Sequence, residues 1–353
     1  MIEPGRRGKR AAVGSVLLVL ILAIGLTVIG TRRTGPTSVS TTPGLFAPSE
    51  VIAFRARFDG PAAAPLFKWR AGVYSEYTGT SWSSGEVRRK RLDAKERIDL
   101  GIAGRETHTL AGREDFKITI TSESFRGPTI LGPNAVEGVD RAVDVLVTAD
   151  GGYAAIEATD AAAQYTVSAY VPVWIASPGE LTEADLRAAG ASYPPALLAT
   201  YTALPVGALG PAATRLLEDI RAAVPGGQNV YDLARTMETY LRDPGHFPYD
   251  EDVREPVAQR CRDMSTVECF ATIRRGYCEY SASTMAALLR AAGVPARIAY
   301  GFLPGERDAN GEEVVTAARA HWWVEVYFPR IGWFEFDPDS GPGEPLLLPS
   351  GAA

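Results

Sequence analysis

With only three cysteines and three histidines among 353 residues, each is a candidate for chemistry. Cys278 stands in "RRGYCEYSASTMAALLRAAGVPARIAYGF" (274–302), where a turn gives way to a helical pattern. A thiol in the first turn of a helix meets free N–H groups and the positive end of the peptide dipole, which favour a thiolate. The same position also suits a buried, inert thiol, a common fate of free cysteines. A cysteine nucleophile needs a base, and the base needs an acceptor that orients it. His321 opens the strand-like "AHWWVEVYF", and "GWFEFDPDSG" follows it as a second strand ending in acids. If the two form a hairpin with His321 facing Asp337, the turn centres on Pro329 inside "PRIG". Glu325 shares a face with His321 but lies about 13 Å along the strand, too far to orient it. Asp339 is the competitor for that role. Cys278, His321 and one of Asp337 and Asp339 are thus the candidates for nucleophile, base and orienter.

The elements that must position these groups are legible around them. Ala282, Met285, Leu289 and Ala292 recur at helical spacing after Cys278, and Gly293 with Pro295 ends the helix. Gly276 lets the preceding backbone turn sharply and approach closely. "ARIAYGF" then reads as a buried strand. Upstream, "TEADLRAAG" opens with a Thr cap and acidic first turn, and "PAATRLLEDIRAAV" starts on Pro and stops at "PGG". "VYDLARTMETYLRD" and "TVECFATIRRG" complete a helical stretch. Before residue 181 the pattern is strand-like: "VIAFRARF" and "FKITITS" alternate, and "VDVLVT" and "QYTVSAYVPV" are rich in β-branched and aromatic residues. The division predicted is a basic tail (1–10), an apolar helix (11–30), a Thr/Ser/Pro/Gly tether (31–48), a β-rich domain (49–180), a helical linker region (181–228), a catalytic core (229–345) and a tail (346–353).

Four blocks in order resemble the core of the bacterial transglutaminase-like superfamily. They are the Gly-x-Cys helix start, the "GVPAR" helix exit, the "HWWVEV" strand and the "GWFEFDP" strand. "YTALP", "ARTMETYLRDPGHFPYDED" and "FKWRAGVYSEYTGTSW" resemble segments found upstream in large membrane-bound members. The resemblance implies a papain-like α+β fold, Cys278 as nucleophile, His321 as base and Asp337 as orienter, and no cofactor. It also implies a protein or peptide substrate whose carboxamide or amide carbonyl is attacked to give a thioester. An amine acceptor would make the protein a cross-linking enzyme, and water would make it an amidase or peptidase. Members that have lost the triad bind without catalysing, so a cell-surface binding or scaffold role is the alternative of another class.

The chain as a whole bounds these readings. Residues 11–30 form an uncharged run of 20 residues, about 30 Å as a helix, preceded by four basic residues and followed by two. A single-pass anchor with the N-terminus cytoplasmic and the body extracytoplasmic is expected; a cleaved leader is the rival, but no clear A-x-A site follows. Six basic residues against Glu3 give 1–33 a net charge of +5, which leaves −11 for the remainder of a chain at −6. A body that acidic repels nucleic-acid phosphates. The "RRKR" run at 88–91 reads as a solvated face. No metal site is expected: "RDANGEE" (307–313) reads as a turn, His108 as a surface loop residue, and His246 as a loop residue ahead of any zinc role with Cys261 and Cys269. In an exported body those two cysteines, in "CRDMSTVEC", can close a disulfide and leave Cys278 free. Alternatively Cys269 points into the core, away from Cys261.

Overall fold

The computed structural model describes residues 48–59, 66–98, 114–133, 135–160, 163–171, 181–227, 229–343 and 347–348. The apolar run 11–30, the tether and His108 lie outside the described residues. Among the described residues, no helix is long and apolar enough to cross a membrane.

The first half is β-rich, as its alternation predicts. Strands β1 (Ile52–Asp59), β2 (Trp69–Tyr74), β3 (Glu76–Tyr77), β4 (Trp82–Ser83), β5 (Arg88–Leu92), β6 (Glu114–Ser122), β7 (Ala135–Val139), β8 (Val143–Val147), β9 (Tyr153–Ala158) and β10 (Gln164–Val171) follow in order. Seven helices come next: α1 (Glu183–Ala188), α2 (Pro195–Tyr201), α3 (Pro211–Ala223), α4 (Val230–Arg242), α5 (Arg254–Arg260), α6 (Thr266–Ile273) and α7 (Cys278–Ala291). Five strands, β11 (Ala296–Phe302), β12 (Glu306–Arg307), β13 (Glu313–Thr316), β14 (Ala320–Phe328) and β15 (Gly332–Phe336), close the fold. The content is the α+β mixture expected.

The topology departs from a simple succession of layers. The seven-stranded sheet runs β15-β14-β11-β2-β9-β8-β5, and the six-stranded sheet β12-β13-β1-β6-β10-β7. Both sheets therefore combine strands from the two ends of the chain. Strand β2 pairs with β11 from Tyr74↔Ile298 to Trp69↔Phe302, and β1 pairs with β13 from Ile52↔Thr316 to Ala56↔Glu313. Three consecutive residues at the start of β2 make the seam polar as well as apolar. Lys68 Nζ reaches Glu335 at 2.7 Å, Trp69 Nε1 donates to Glu313 at 2.8 Å, and Arg70 Nη1 donates to Glu325 at 3.3 Å. Arg297 Nε bonds the other oxygen of Glu325 at 2.6 Å. Buried charges persist only when paired in this way.

Helix α7 is enclosed more completely than one apolar face predicts. Ser281, Ser283, Thr284 and Arg290 are buried along with Ala282, Met285 and Leu289, whereas Ala292 is half-buried. A helix covered all round needs no polar face, and its polar groups need partners. Ser283 Oγ accepts from Trp82 Nε1 at 3.0 Å, and Arg290 donates to the carbonyls of Ser75, Ala203 and Ala296. Gly293, with φ +79°, lets the chain leave the helix for β11.

Candidate active site

Cys278 is the first residue of α7, after an extended Tyr277 that gives no side-chain cap. The approach to it differs from expectation in one detail. The left-handed residue is Arg274, with φ 54°, which caps α6. Gly276 serves close approach: a Cβ there would stand 3.1 Å from Phe270 and from Tyr280. Its carbonyl accepts from the amide of Asp250 at 2.8 Å, which seats that segment beside the start of α7.

His321 is the second residue of β14. The hairpin register Val324↔Phe336 and Phe328↔Gly332 centres the turn on Arg330, whose φ is 68°, one residue beyond the Pro329 expected. Continued, that register would bring Asp339, not Asp337, opposite His321. The strand stops at Phe336, however, and it is Asp337 that meets the imidazole, from the diagonal position on the same face. His321 Nε2 lies 2.9 Å from Asp337 Oδ2 and 3.0 Å from Oδ1. Asp339 stays nearby: its amide donates to Asp337 Oδ1 at 3.4 Å, and its buried Oδ2 lacks a hydrogen-bond partner. Glu325 is held by Arg70 and Arg297, away from the histidine.

Cys278 meets the same strand. The nearby Trp322 backbone N–H favours the thiolate. It is outweighed: burial, and then the carboxylates Asp339 and Glu279, push the thiol well above its ordinary range. The helix start therefore does not by itself hold a thiolate in this closed state. Cys278, His321 and Asp337 are 4%, 2% and 0% exposed. Tyr249 and Gly341 lie over the site; a Cβ on Gly341 would stand 2.4 Å from the Tyr249 ring.

Asp337 is the most heavily supported member. Burial favours its neutral form, but His321, Lys68 and Arg242 reverse this and hold it below the usual carboxylate range. With an ionised acceptor at Nε2, the His321 proton sits there and Nδ1 is left as the basic nitrogen. Arg242 donates to the carbonyls of Asp337 (2.9 Å) and Gly343 (2.6 Å), and Glu238 Oε1 accepts from the Asp337 amide at 2.6 Å. Burial pushes Glu238 up to about 7 against the pull of Arg235, and pushes Asp339 up to about 6. Lys68, Arg242 and Glu238 escaped the sequence reading. "FKWR" and "ETYLRD" were visible as segments, but nothing local tells which of their charges points inward.

The other cysteines and His246 stand apart from this chemistry. Cys261 and Cys269 are joined in a disulfide with Cα atoms 5.1 Å apart, and Cys278 is free. His246 stacks on Tyr240 at 4.2 Å and lies 3.4 Å from Asp243. The "RDANGEE" stretch is a turn between β12 and β13, closed by Asp308 accepting from the amides of Asn310 and Glu312.

Similar proteins agree with this architecture. Residues 219–338 match the transglutaminase-like superfamily model, and residues 46–176 match that of the TgpA N-terminal domain. A 127-residue stretch is 37% identical to the uncharacterized protein YebA of Bacillus subtilis, covering 35% of this chain and 17% of that protein. Another of 66 residues is 44% identical to a protein-glutamine gamma-glutamyltransferase of Pseudomonas aeruginosa, covering 18% of this chain and 10% of that protein. The chain thus matches less than a fifth of the length of either relative. The fold is shared more widely: the periplasmic domain of TgpA from Pseudomonas aeruginosa superposes with a TM-score of 0.59 at 22% identity, covering 85% of this chain and 94% of that one. With the transglutaminase-like core and the TgpA-type N-terminal region both present, the chain is a bacterial transglutaminase-like protein.

Proposed function

We propose that this protein is a membrane-anchored, extracytoplasmic enzyme that carries out cysteine-dependent acyl transfer on the carboxamide of glutamine in proteins or peptides. The observation that carries the reading is the His321–Asp337 pair at 2.9 Å, with the free thiol of Cys278 opening the helix that packs against the His321 strand. His321 Nδ1 takes the thiol proton as sulfur attacks the carbonyl carbon. The imidazolium returns that proton to the departing nitrogen, which leaves as ammonia, and a thioester remains. A primary amine or water then attacks the thioester, giving a new amide or a carboxylate. The raised thiol favours proton transfer in step with attack over a resting thiolate. The Cys278 amide, in the first turn of α7, is the proposed oxyanion donor. The extracytoplasmic placement is supported by the charge asymmetry around residues 11–30 and by the disulfide.

The test is ammonia release from a glutamine-containing peptide, with and without a fluorescent primary amine. Cys278→Ala and His321→Ala are expected to lose activity by about 10⁴-fold or more, and Asp337→Asn by less, since packing and water partly replace an orienter. Equal ammonia release from the wild type and both alanine variants sinks the reading. Incorporation of the amine separates transferase from hydrolase.

A further inference from the structure

Asp337 is flanked by two cations that come from distant parts of the chain. Arg242, on α4, lies 3.8 Å from Oδ1. Lys68, at the threshold of β2, lies 3.8 Å from Oδ2, the oxygen that faces His321 at 2.9 Å. Lys68 is almost wholly buried, with a side-chain exposure of 7%, and its nearest anion is Glu335 at 2.7 Å. Burial disfavours its charged form, but Glu335 and then Asp337 more than reverse this, so it stays an ammonium. The rest of the surroundings are rich in carboxyl groups: Asp339 after β15, Glu335 on β15, Glu238 on α4 and Glu279 on α7, with Arg235 paired to Glu238. In such company a buried aspartate tends toward its neutral form unless cations oppose it. A neutral Asp337 could donate its own proton to His321 and so reverse the tautomer.

We propose that Lys68 is a positioning residue of the active site: an ammonium supplied by the N-terminal β region fixes Asp337 on His321 by charge. The region matched to the TgpA N-terminal domain then completes the catalytic centre, beyond whatever it binds. Lys68 touches no reacting atom; it acts through Asp337. The fold shows how Lys68 is brought to Asp337. Its neighbours Trp69 and Arg70 bond Glu313 and Glu325 of the C-terminal strands, so the backbone at 68–70 is pinned on the seam. The inference rests on the Cys278–His321–Asp337 reading, but its test needs no acyl substrate.

Cys278 is the free thiol in a chain whose other two cysteines are bridged, so alkylation by iodoacetamide reports on it alone. The rate is followed against pH in the full chain. Lys68→Met removes one positive charge from the cluster, so every proton there becomes harder to lose. The midpoint of the alkylation profile is expected to rise by about one pH unit, and Lys68→Arg to restore it to within a few tenths. A Lys68→Met midpoint equal to the wild type, with only the melting temperature lowered, overturns the proposal and leaves a structural ion pair. If Lys68→Met does not fold, Glu335→Gln serves: it leaves Asp337 as the nearest anion of Lys68 and removes a negative charge, so the midpoint is expected to fall. An unmoved midpoint there overturns the proposal equally. Loss of ammonia release from the wild type would sink the proposed reaction without touching this result.

Discussion

Gly343→Ala tests the geometry of the His–Asp pair without altering any of its charges. The glycine has no left-handed φ, so alanine costs nothing in backbone conformation there. The cost is steric. A Cβ would stand 2.5 Å from Asp337 Oδ2 and 2.7 Å from His321 Nε2, where real contacts do not fall below 3.0 Å. The backbone has little freedom to retreat, because Arg242 holds the Gly343 carbonyl at 2.6 Å. Asp337 must therefore give by about 0.5 Å and His321 by about 0.3 Å. A displacement of about 1 Å in a catalytic group costs on the order of 100-fold. On that scale the Asp337 shift alone predicts a fall in kcat of about 10-fold, and the two shifts together about 40-fold. KM should move by less than about threefold, since the substitution adds no group on the substrate side. Overpacking should cost about 1–3 kcal/mol of stability. Steady-state ammonia release and thermal melting measure both quantities. A folded Gly343→Ala protein with wild-type kcat would refute the argument that this segment presses on the pair.

Three further outcomes concern Asp339 and the disulfide. Asp339 is held up at about 6 by burial against an ordinary 3.8, so as pH rises from about 4 the unfolded chain gives up this proton while the folded chain keeps it. Stability is lost across pH 4–6 on that account, by on the order of 3 kcal/mol at pH 7. Asp339→Asn should remove that loss and flatten the curve of melting temperature against pH; parallel curves for variant and wild type would contradict it. Replacing Cys261 and Cys269 together by Ser should lower stability by about 2–3 kcal/mol in the loop-entropy account while leaving most of the activity. Peptide mapping of exported wild type should find the Cys261–Cys269 link and a free Cys278; three free thiols there would contradict the bridge.

Much of the local structure was legible because it is written in local patterns. Thr182 caps α1 in a reciprocal capping box, Pro211 opens α3, and Gly293 ends α7, each at the place its chemistry indicates. The cysteine, histidine and aspartate came to notice by type and by order along the chain. The hairpin register was off by one residue because the turn is set by a left-handed Arg330 rather than by Pro329. Asp337 nonetheless lies within hydrogen-bond distance of His321, because a diagonal reach replaces the direct one when β15 stops at Phe336. What stayed hidden was long-range. No pattern near Lys68 says that Glu335, far along the chain, lies 2.7 Å away. Nor does any pattern near Cys278 say that its helix is covered on all sides, which reverses the expected effect of the helix start on the thiol. Burial and charge at a site are properties of the assembled seam, and short windows do not carry them.

The interleaved sheets also govern the order in which the molecule can be made. Strand β2 finds its neighbour β11 only after residues 298–302 have been synthesised, and β1 must wait for residues 313–316. Until then the early strands have open edges, and closing such long loops slows the search. Folding of the two halves is therefore coupled through the last fifth of the polypeptide. The reverse also holds. A fragment beginning after β10 would leave β11 with an unpaired, apolar edge where β2 belongs, a surface that invites strand addition from other molecules. Duplication or exchange of the C-terminal portion alone would carry that exposed edge with it, so β2 and the residues that pin it are inherited with the catalytic strands or replaced by something that covers the same edge.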